Sequence, residues 1–206
     1  MRALLLLGCL ALGGCMKATL PTLGPSTPIA PVPGKVILAG HLQVIPPLTQ
    51  QEEGAPRALL LSDLNGKFYA IFSPTLRERY SRSAFPPLQD HHSAWVPMEG
   101  PFFIEVPADR PLYLRGLILT TNAGRRDLEV PLRLDLRAQD QVVYAGHWTV
   151  VRGATQKVLV KDRREQMERF AKSLQGGALL QRRWVTRLAS AVDGRDEKTT
   201  IAAVQR

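Results

Sequence analysis

Apolar and polar residues alternate through much of the chain between residues 36 and 151. The clearest example is LEVPLRLDLR, residues 128–137, in which leucine or valine fills every second position and charged residues or proline fill the others. This period of two is typical of a β-strand with one buried and one solvated face. Pro131 has no N–H to donate to a neighbouring strand, which favours an edge strand or a bulge.

Further strands are predicted along the same part of the chain at the spacing of hairpins. Residues 57–72 predict a hairpin that turns at Asn65 and Gly66, because both residues tolerate a positive φ. Residues 101–107 and 112–121 predict two more strands, joined by a short turn. With the strands at either end of this region, about seven are expected. The pattern therefore predicts a mainly β domain, an antiparallel β-sandwich, over residues 36–160.

Helical periodicity is found towards the C-terminus. Residues 161–174 place Met167, Phe170, Ala171 and Leu174 on one stripe, and residues 178–192 place Leu180, Trp184, Leu188 and Val192 at helical spacing. We expect one or two C-terminal helices over residues 161–192, packed on the sheet, followed by a flexible tail over residues 193–206. Residues 73–100 have no clear period and predict a long loop.

The N-terminus has the pattern of an export signal. Arg2 precedes an apolar segment, residues 3–12, that is too short for a permanent membrane span. The segment ends in Leu12-Gly13-Gly14-Cys15, which resembles the lipobox of bacterial lipoproteins. The resemblance implies a signal peptide over residues 1–14, cleavage before Cys15, a diacylglycerol on its thiol and acylation of the new N-terminus. The alternative is an ordinary secreted protein whose cysteine falls at this place.

The lipoprotein resemblance implies a place in the cell envelope. Residues 15–35 would be the lipidated cysteine and a proline-rich tether. Inner-membrane lipoproteins commonly carry Asp directly after the lipidated cysteine, where this chain has Met16. In this respect the chain resembles lipoproteins that are sorted to the outer membrane, where the domain would face the periplasm. Cys9 would leave with the signal, so the mature domain would contain no disulfide and no thiolate metal site.

The net charge of the chain indicates which molecules it could contact. Lys and Arg number 27 against 18 Asp and Glu, a formal net charge of +9. A lipidated envelope protein rarely meets nucleic acid, so anionic lipid or cell-wall polymer is the expected contact. An arginine-rich surface that is merely solvated is an equal alternative.

Two segments repeat one another, VILAGHLQVI at residues 36–45 and VVYAGHWTVV at residues 142–151. If these strands are neighbours, His41 and His147 could converge and bind copper or zinc, with His91 from the long loop as a third candidate. The alternative is packing, in which Gly40 and Gly146 mark a bulge or the close approach of a neighbour such as an aromatic ring, and the two strands pair or take equivalent places in two sheets. Strand parity predicts that Tyr144, Gly146 and Trp148 share one face and that His147 points to the other.

The sequence contains no Gly-x-Ser-x-Gly, Ser-x-x-Lys or His-Glu-x-x-His motif. The segments VPADRPLYLRGLIL and VVYAGHWTVV are similar to a pattern in bacterial lipoproteins and prealbumin-like sandwich domains, which implies a β-sandwich without known catalytic residues. We therefore expect a non-catalytic binding or structural module with no cofactor and with an envelope protein as partner. The alternative hypothesis is a metal-binding protein or metal-dependent enzyme that uses His41 and His147.

Overall fold

The computed structural model describes residues 19–24, 32–49, 67–74, 92–121, 124–153 and 156–192. Within them lie ten strands, one α-helix and one 3-10 helix. The strands are β1 (Lys35–Ile45), β2 (Lys67–Ser73), β3 (His92–Pro97), β4 (Gly100–Pro107), β5 (Leu112–Thr121), β6 (Gly124–Leu134), β7 (Val142–Val151), β8 (Lys157–Lys161), β9 (Trp184–Thr186) and β10 (Ser190–Ala191). Helix α1 spans Arg164–Ser173 and the 3-10 helix spans Gln175–Gln181.

The strands form two five-stranded sheets. In the first sheet the order is β4-β1-β7-β8, and β9 pairs with β7 beside β8; in the second the order is β10-β6-β5-β2-β3. The mainly β class is confirmed, but the expected number of strands was too low. The expectation of antiparallel pairing is wrong for β1 with β7 and for β7 with β9, which run parallel. These pairs join segments that are distant in sequence, whereas hairpin spacing only constrains adjacent strands.

The inner faces of the two sheets share one hydrophobic core, as is consistent with a β-sandwich. The first sheet contributes Leu38, Leu42, Ile104 and Trp148, and the second contributes Phe68, Phe72, Leu114 and Leu132. The ring of Phe102 occupies the space that a Cβ atom at Gly40 would need. The predicted approach of an aromatic ring to this glycine is therefore confirmed.

Helix α1 covers the outer face of the first sheet. Met167 and Ala171 are buried there in a second cluster with Ile37, Phe103 and Tyr144. The predicted apolar stripe is thus confirmed, with Phe170 and Leu174 packed at the edge of the same cluster.

The predicted second helix is wrong. After the 3-10 helix the chain runs extended through β9 and β10, because its backbone completes the edges of both sheets. Arg187 N donates to Tyr144 O at 3.0 Å, and Ala189 N donates to Ala145 O at 2.8 Å, both in the first sheet. Val192 N donates to Pro131 O at 2.9 Å in the second. The extra residue of β6 in its pairing with β5 falls at Val130 or Pro131, so the predicted bulge is confirmed, and the edge of the sheet is formed by the two-residue β10.

Residues 19–24, which we expected to belong to the tether, are part of the domain; we call them the strap. Leu20 N donates to Ser93 O in β3 at 2.6 Å, and Leu23 N donates to Phe103 O in β4 at 2.8 Å. Leu20 is 7% exposed and belongs to the core between the sheets. The proline content predicted a tether, but the two leucines bury enough apolar surface to dock the segment.

Residues 73–100 were predicted to be a loop, yet β3 lies within them and pairs with β2 from Phe72↔His92 to Lys67↔Pro97. Cys15, His91, the turn at Asn65 and Gly66, and the predicted tail lie outside the described residues. Neither of the described helices is long and apolar enough to cross a membrane.

Candidate functional site

The two repeated segments, β1 and β7, lie side by side in the first sheet. Their register pairs Ala39 with Tyr144 and His41 with His147, so that one extra residue of β7 falls between the two pairs. The extra residue forms a β-bulge, which reverses the alternation of side chains beyond it. The predicted placement of Tyr144 and Trp148 on one face is therefore wrong, whereas the predicted opposition of His147 and Trp148 is confirmed. Tyr144 and His147 both face outwards, whereas Trp148 points into the core.

Gly146 makes this bulge possible. Its φ is +110°, a conformation that residues with a Cβ atom rarely adopt. A Cβ atom there would also lie 2.7 Å from Cγ1 of Val160 in β8. The glycine thus serves the packing role expected of the repeat, and it also brings His147 onto the same face as His41.

The imidazole rings of His41 and His147 are stacked. Their centroids are 4.4 Å apart and their planes are inclined by 12°. Phe170 of helix α1 lies at 5.9 Å from the His41 ring and tilts over it by 34°. Because His147 is 3% exposed and His41 is half-buried, the pair forms part of the packed surface beneath the helix. We call His41 and His147 the histidine pair.

The hydrogen bonds of the pair are few. Nε2 of His147 lies 3.2 Å from Oε1 of Gln43, so this nitrogen carries the proton and donates it. The Nδ1 atoms of both histidines are buried, and neither has a hydrogen-bond partner among the described residues. Each ring therefore keeps an unused nitrogen inside the protein.

Burial favours the neutral form of both rings. It lowers the pKa of His147 from 6.5 to about 4, and the neighbouring His41, Arg163 and Lys161 act in the same direction. Burial also lowers the pKa of His41; Glu99 opposes this shift and Arg163 adds to it. Both imidazoles are therefore uncharged near neutral pH.

Tyr144, on the outer face of β7, is hydrogen-bonded to the residue that precedes helix α1. Its hydroxyl accepts a hydrogen bond from Arg163 N at 2.9 Å. Burial is the main cause that raises the pKa of this phenol. Because Arg163 directly precedes the helix, this bond fixes the position from which α1 crosses the sheet and covers His41.

The stacked arrangement limits what the histidine pair can do with a metal. The lone pair of an imidazole nitrogen lies in the ring plane, so two nearly parallel rings cannot both direct a lone pair at one ion unless a side chain rotates. The described residues contain no group of three or more His, Cys, Asp or Glu side chains that could hold a metal. His92 begins β3 in the other sheet, and His91 lies outside the described residues.

A buried ion pair that the sequence did not indicate lies beside the start of β7. Arg187 donates to both carboxylate oxygens of Asp140, with Nε to Oδ2 at 3.0 Å and Nη2 to Oδ1 at 3.4 Å. The Asp140 side chain is 2% exposed. The pair ties the extended segment that follows β9 to the turn before β7, which indicates a structural role.

A small cavity of about 110 Å³ opens near Gly116, where β5 is bulged relative to β2. Its walls include Arg115, Asp127 and Glu129 together with apolar side chains of β2, β5 and β6. Ligand pockets for drug-sized molecules are several times larger, so this cavity suits at most a few waters or a small ion.

Comparisons with known proteins found no match. No protein-family model, no curated protein and no solved structure matches this chain.

Proposed function

We propose that the protein is a lipid-anchored component of the cell envelope, held at the outer membrane and facing the periplasm, whose β domain acts by binding. The observation that carries the proposal is the apolar segment at residues 3–12, whose last residue begins the motif Leu12-Gly13-Gly14-Cys15. Two or three acyl chains on one N-terminal cysteine are sufficient for stable attachment, whereas one chain holds a protein only marginally.

A binding role is inferred from how the polar groups of the domain are used. In the described part of the chain, the most distinctive cluster is the histidine pair, whose rings contact each other, Gln43 and Phe170. The buried carboxylate of Asp140 forms an ion pair with Arg187. We therefore propose a non-catalytic module that needs no cofactor and recognises an envelope protein through its surface.

The anchor is tested by replacing each cysteine of the chain in turn. Cells that express the full chain are fed an alkyne-labelled fatty acid, and the protein is purified for labelling and N-terminal mass analysis. We expect label on the wild type, loss of label in Cys15→Ala, and retained label in the matched control Cys9→Ala. An unlabelled wild-type protein, or a Cys9→Ala variant that loses its label, would overturn the proposal. Cross-linking and capture from solubilised membranes would then identify the envelope partner.

A second candidate function is binding of copper or zinc by His41 and His147, with His91 as a third candidate ligand. The observation in its favour is that the two rings are adjacent and each has a buried Nδ1 atom without a partner. Metal content of the purified protein, measured by mass spectrometry after dialysis, tests this function. One equivalent of metal that is lost in the His41→Ala, His147→Ala double variant but kept in His92→Ala would favour it over the first proposal.

A further inference from the structure

The strap fixes where the N-terminal part of the chain leaves the domain. Its residues 19–24 lie between the edge strands of the two sheets, parallel to β3 and antiparallel to β4. Hydrogen bonds to both edge strands hold it, among them those of Leu20 N to Ser93 O, of Leu23 N to Phe103 O, of Glu105 N to Pro21 O at 3.0 Å and of Thr22 Oγ1 to Trp95 O at 3.0 Å. The chain before Thr19 therefore starts at a defined point on the edge of the fold.

The direction of the strap selects one end of the domain. Followed backwards, the strap runs towards the start of β3 and the end of β4. The start of β1, the β4–β5 connection and the β6–β7 connection lie at the same end, because their strands pair there: Lys35 with Pro107 and Leu112 with Leu134. We call residues 32–34, 108–111, 135–141 and 182–183 the proximal end of the domain.

Little chain separates this end from the proposed lipid. Three residues lie between Cys15 and Thr19. Whatever their conformation, they allow at most about 14 Å between the two Cα atoms, because an extended chain gains about 3.5 Å per residue. A tether reaching to residue 35 would have let the domain move freely above the bilayer, whereas the docked strap holds it close.

The proximal end also carries the charge that an anionic bilayer would attract. Arg110, Arg137 and Arg183 are exposed there. Of the acidic residues at this end, Asp140 is buried against Arg187, and Asp135 lies 3.4 Å from Arg187 and 3.9 Å from Arg137. Asp109 is exposed. Among the described residues of the proximal end, four arginines (Arg110, Arg137, Arg182 and Arg183) outnumber three aspartates (Asp109, Asp135 and Asp140), one of which is buried.

We propose that the domain stands with its proximal end against the bilayer and that Arg110, Arg137 and Arg183 contact anionic phospholipid head groups. This inference rests on the proposed lipid at Cys15, and it adds an orientation and a second, electrostatic contact. The histidine pair then lies in the half of the sheet away from the membrane, because His41 pairs with Pro101 near the opposite end of β4.

The orientation can be measured with single labels, since the chain has no cysteine besides Cys9 and Cys15. Ala138→Cys places a thiol on an exposed residue of the proximal end, and Gly153→Cys places one at the opposite end, where no atom lies within 4 Å of a new Cβ. Full-chain lipidated protein is labelled with a fluorophore and reconstituted into vesicles of phosphatidylethanolamine and phosphatidylglycerol that contain a spin-labelled head group. We expect the label at residue 138 to be quenched several-fold more than the label at residue 153.

Two variants test separately the effect of the short chain before the strap and the effect of the three arginines on the orientation. A Gly-Ser insertion of about ten residues between Ala18 and Thr19 lengthens the connection beyond the reach estimated above and should reduce quenching of the proximal label. The triple variant Arg110→Gln, Arg137→Gln, Arg183→Gln should reduce quenching on the anionic vesicles to the value found on phosphatidylcholine vesicles. Lys157→Gln, an exposed lysine at the opposite end, is the matched control and should leave quenching unchanged. Thermal unfolding verifies that each variant is folded.

The outcomes distinguish this inference from the anchor itself. Vesicle flotation reports attachment, so a protein that carries lipid and floats while both labels are quenched equally overturns the orientation alone. Quenching that is unaffected by the triple arginine variant overturns the head-group contact. A wild-type protein without acyl label overturns the proposed lipid, and the orientation falls with it.

Discussion

His41 and His147 stack at 4.4 Å although they belong to two strands at opposite ends of the domain sequence. The parallel pairing of β1 with β7 makes them neighbours, and the bulge at Gly146 places them on one face. Beneath helix α1 both rings are held neutral, so the pair should respond to acid rather than carry charge near neutral pH.

We predict that acid destabilises the domain through His147. Its pKa is lowered from 6.5 to about 4 in the folded protein, mainly by burial. Between these values the unfolded chain binds a proton that the folded chain does not, so this stabilisation is complete above about pH 6.5 and is lost as the pH falls towards about 4. Lowering the pH from about 7.5 to about 5 should therefore cost up to about 2 kcal/mol through this residue.

Urea unfolding at both pH values measures this effect. His147→Gln should reduce the pH dependence relative to that of the wild type. An equal pH dependence in wild type and His147→Gln would show that burial of this ring does not govern the response.

A second prediction concerns the bulge. Gly146→Ala should lower the free energy of unfolding by about 2–3 kcal/mol, because it combines an unfavourable positive φ with a close contact to Val160. Gly153→Ala is the control, since nothing lies within 4 Å of its new Cβ, and we expect a change within about 0.5 kcal/mol. Chemical denaturation of both variants provides the comparison; equal stabilities would mean that the strand can change its register without cost.

The buried ion pair yields a third prediction. Asp140→Ala leaves the guanidinium of Arg187 without its main partner and should destabilise the domain by about 3 kcal/mol. Asp135→Ala removes a carboxylate that is 58% exposed, and should cost less than about 1 kcal/mol. Thermal and urea unfolding of the two variants measure the difference. If Asp140→Ala were as stable as Asp135→Ala, the pair would not be needed to hold the segment after β9.

The fourth prediction tests the docking of the strap. Leu20→Ala removes a side chain from the core between the sheets and should cost about 2–3 kcal/mol of stability. Hydrogen exchange at the Glu105 amide, which donates to Pro21 O, should become faster in this variant. Thr19→Ala changes an exposed neighbour and serves as the control. Unchanged exchange at Glu105 in Leu20→Ala would indicate that the leucine does not hold the strap in place.

The sequence predicted the parts of the fold that depend on local periodicity. Alternation identified β4, β5 and β6, and the stripe through Met167 and Ala171 identified helix α1. Gly146 indicated a bulge or a close approach, but the sequence could not decide between the two, because the φ of this residue depends on the neighbouring strands. The spacing of Leu180, Trp184 and Leu188 suits a helix equally well, but hydrogen bonds to β7 and β6 keep that segment extended.

For the candidate site, the repeated Ala-Gly-His segments indicated that His41 and His147 could be neighbours, but they left open whether the two strands pair or take equivalent places in two sheets; the structure pairs them. They did not predict the stacking, since ring orientation depends on Gln43 in the same sheet and on Phe170 in a helix far along the chain. The Asp140–Arg187 pair had no sequence signal, because charged residues so distant in the chain meet only through tertiary structure.

The strap has a consequence for association between molecules. β3 and β4 are the edge strands of the two sheets on one side of the sandwich, and an exposed edge offers unpaired backbone groups to which another chain can add a strand. By bonding to Ser93, Phe103 and Glu105, the strap uses backbone groups of both edges. If the proposed lipid anchor concentrates copies of the chain at a membrane, this protection would oppose polymerisation edge to edge. A variant with a weakened strap should therefore be judged by its tendency to aggregate as well as by its stability.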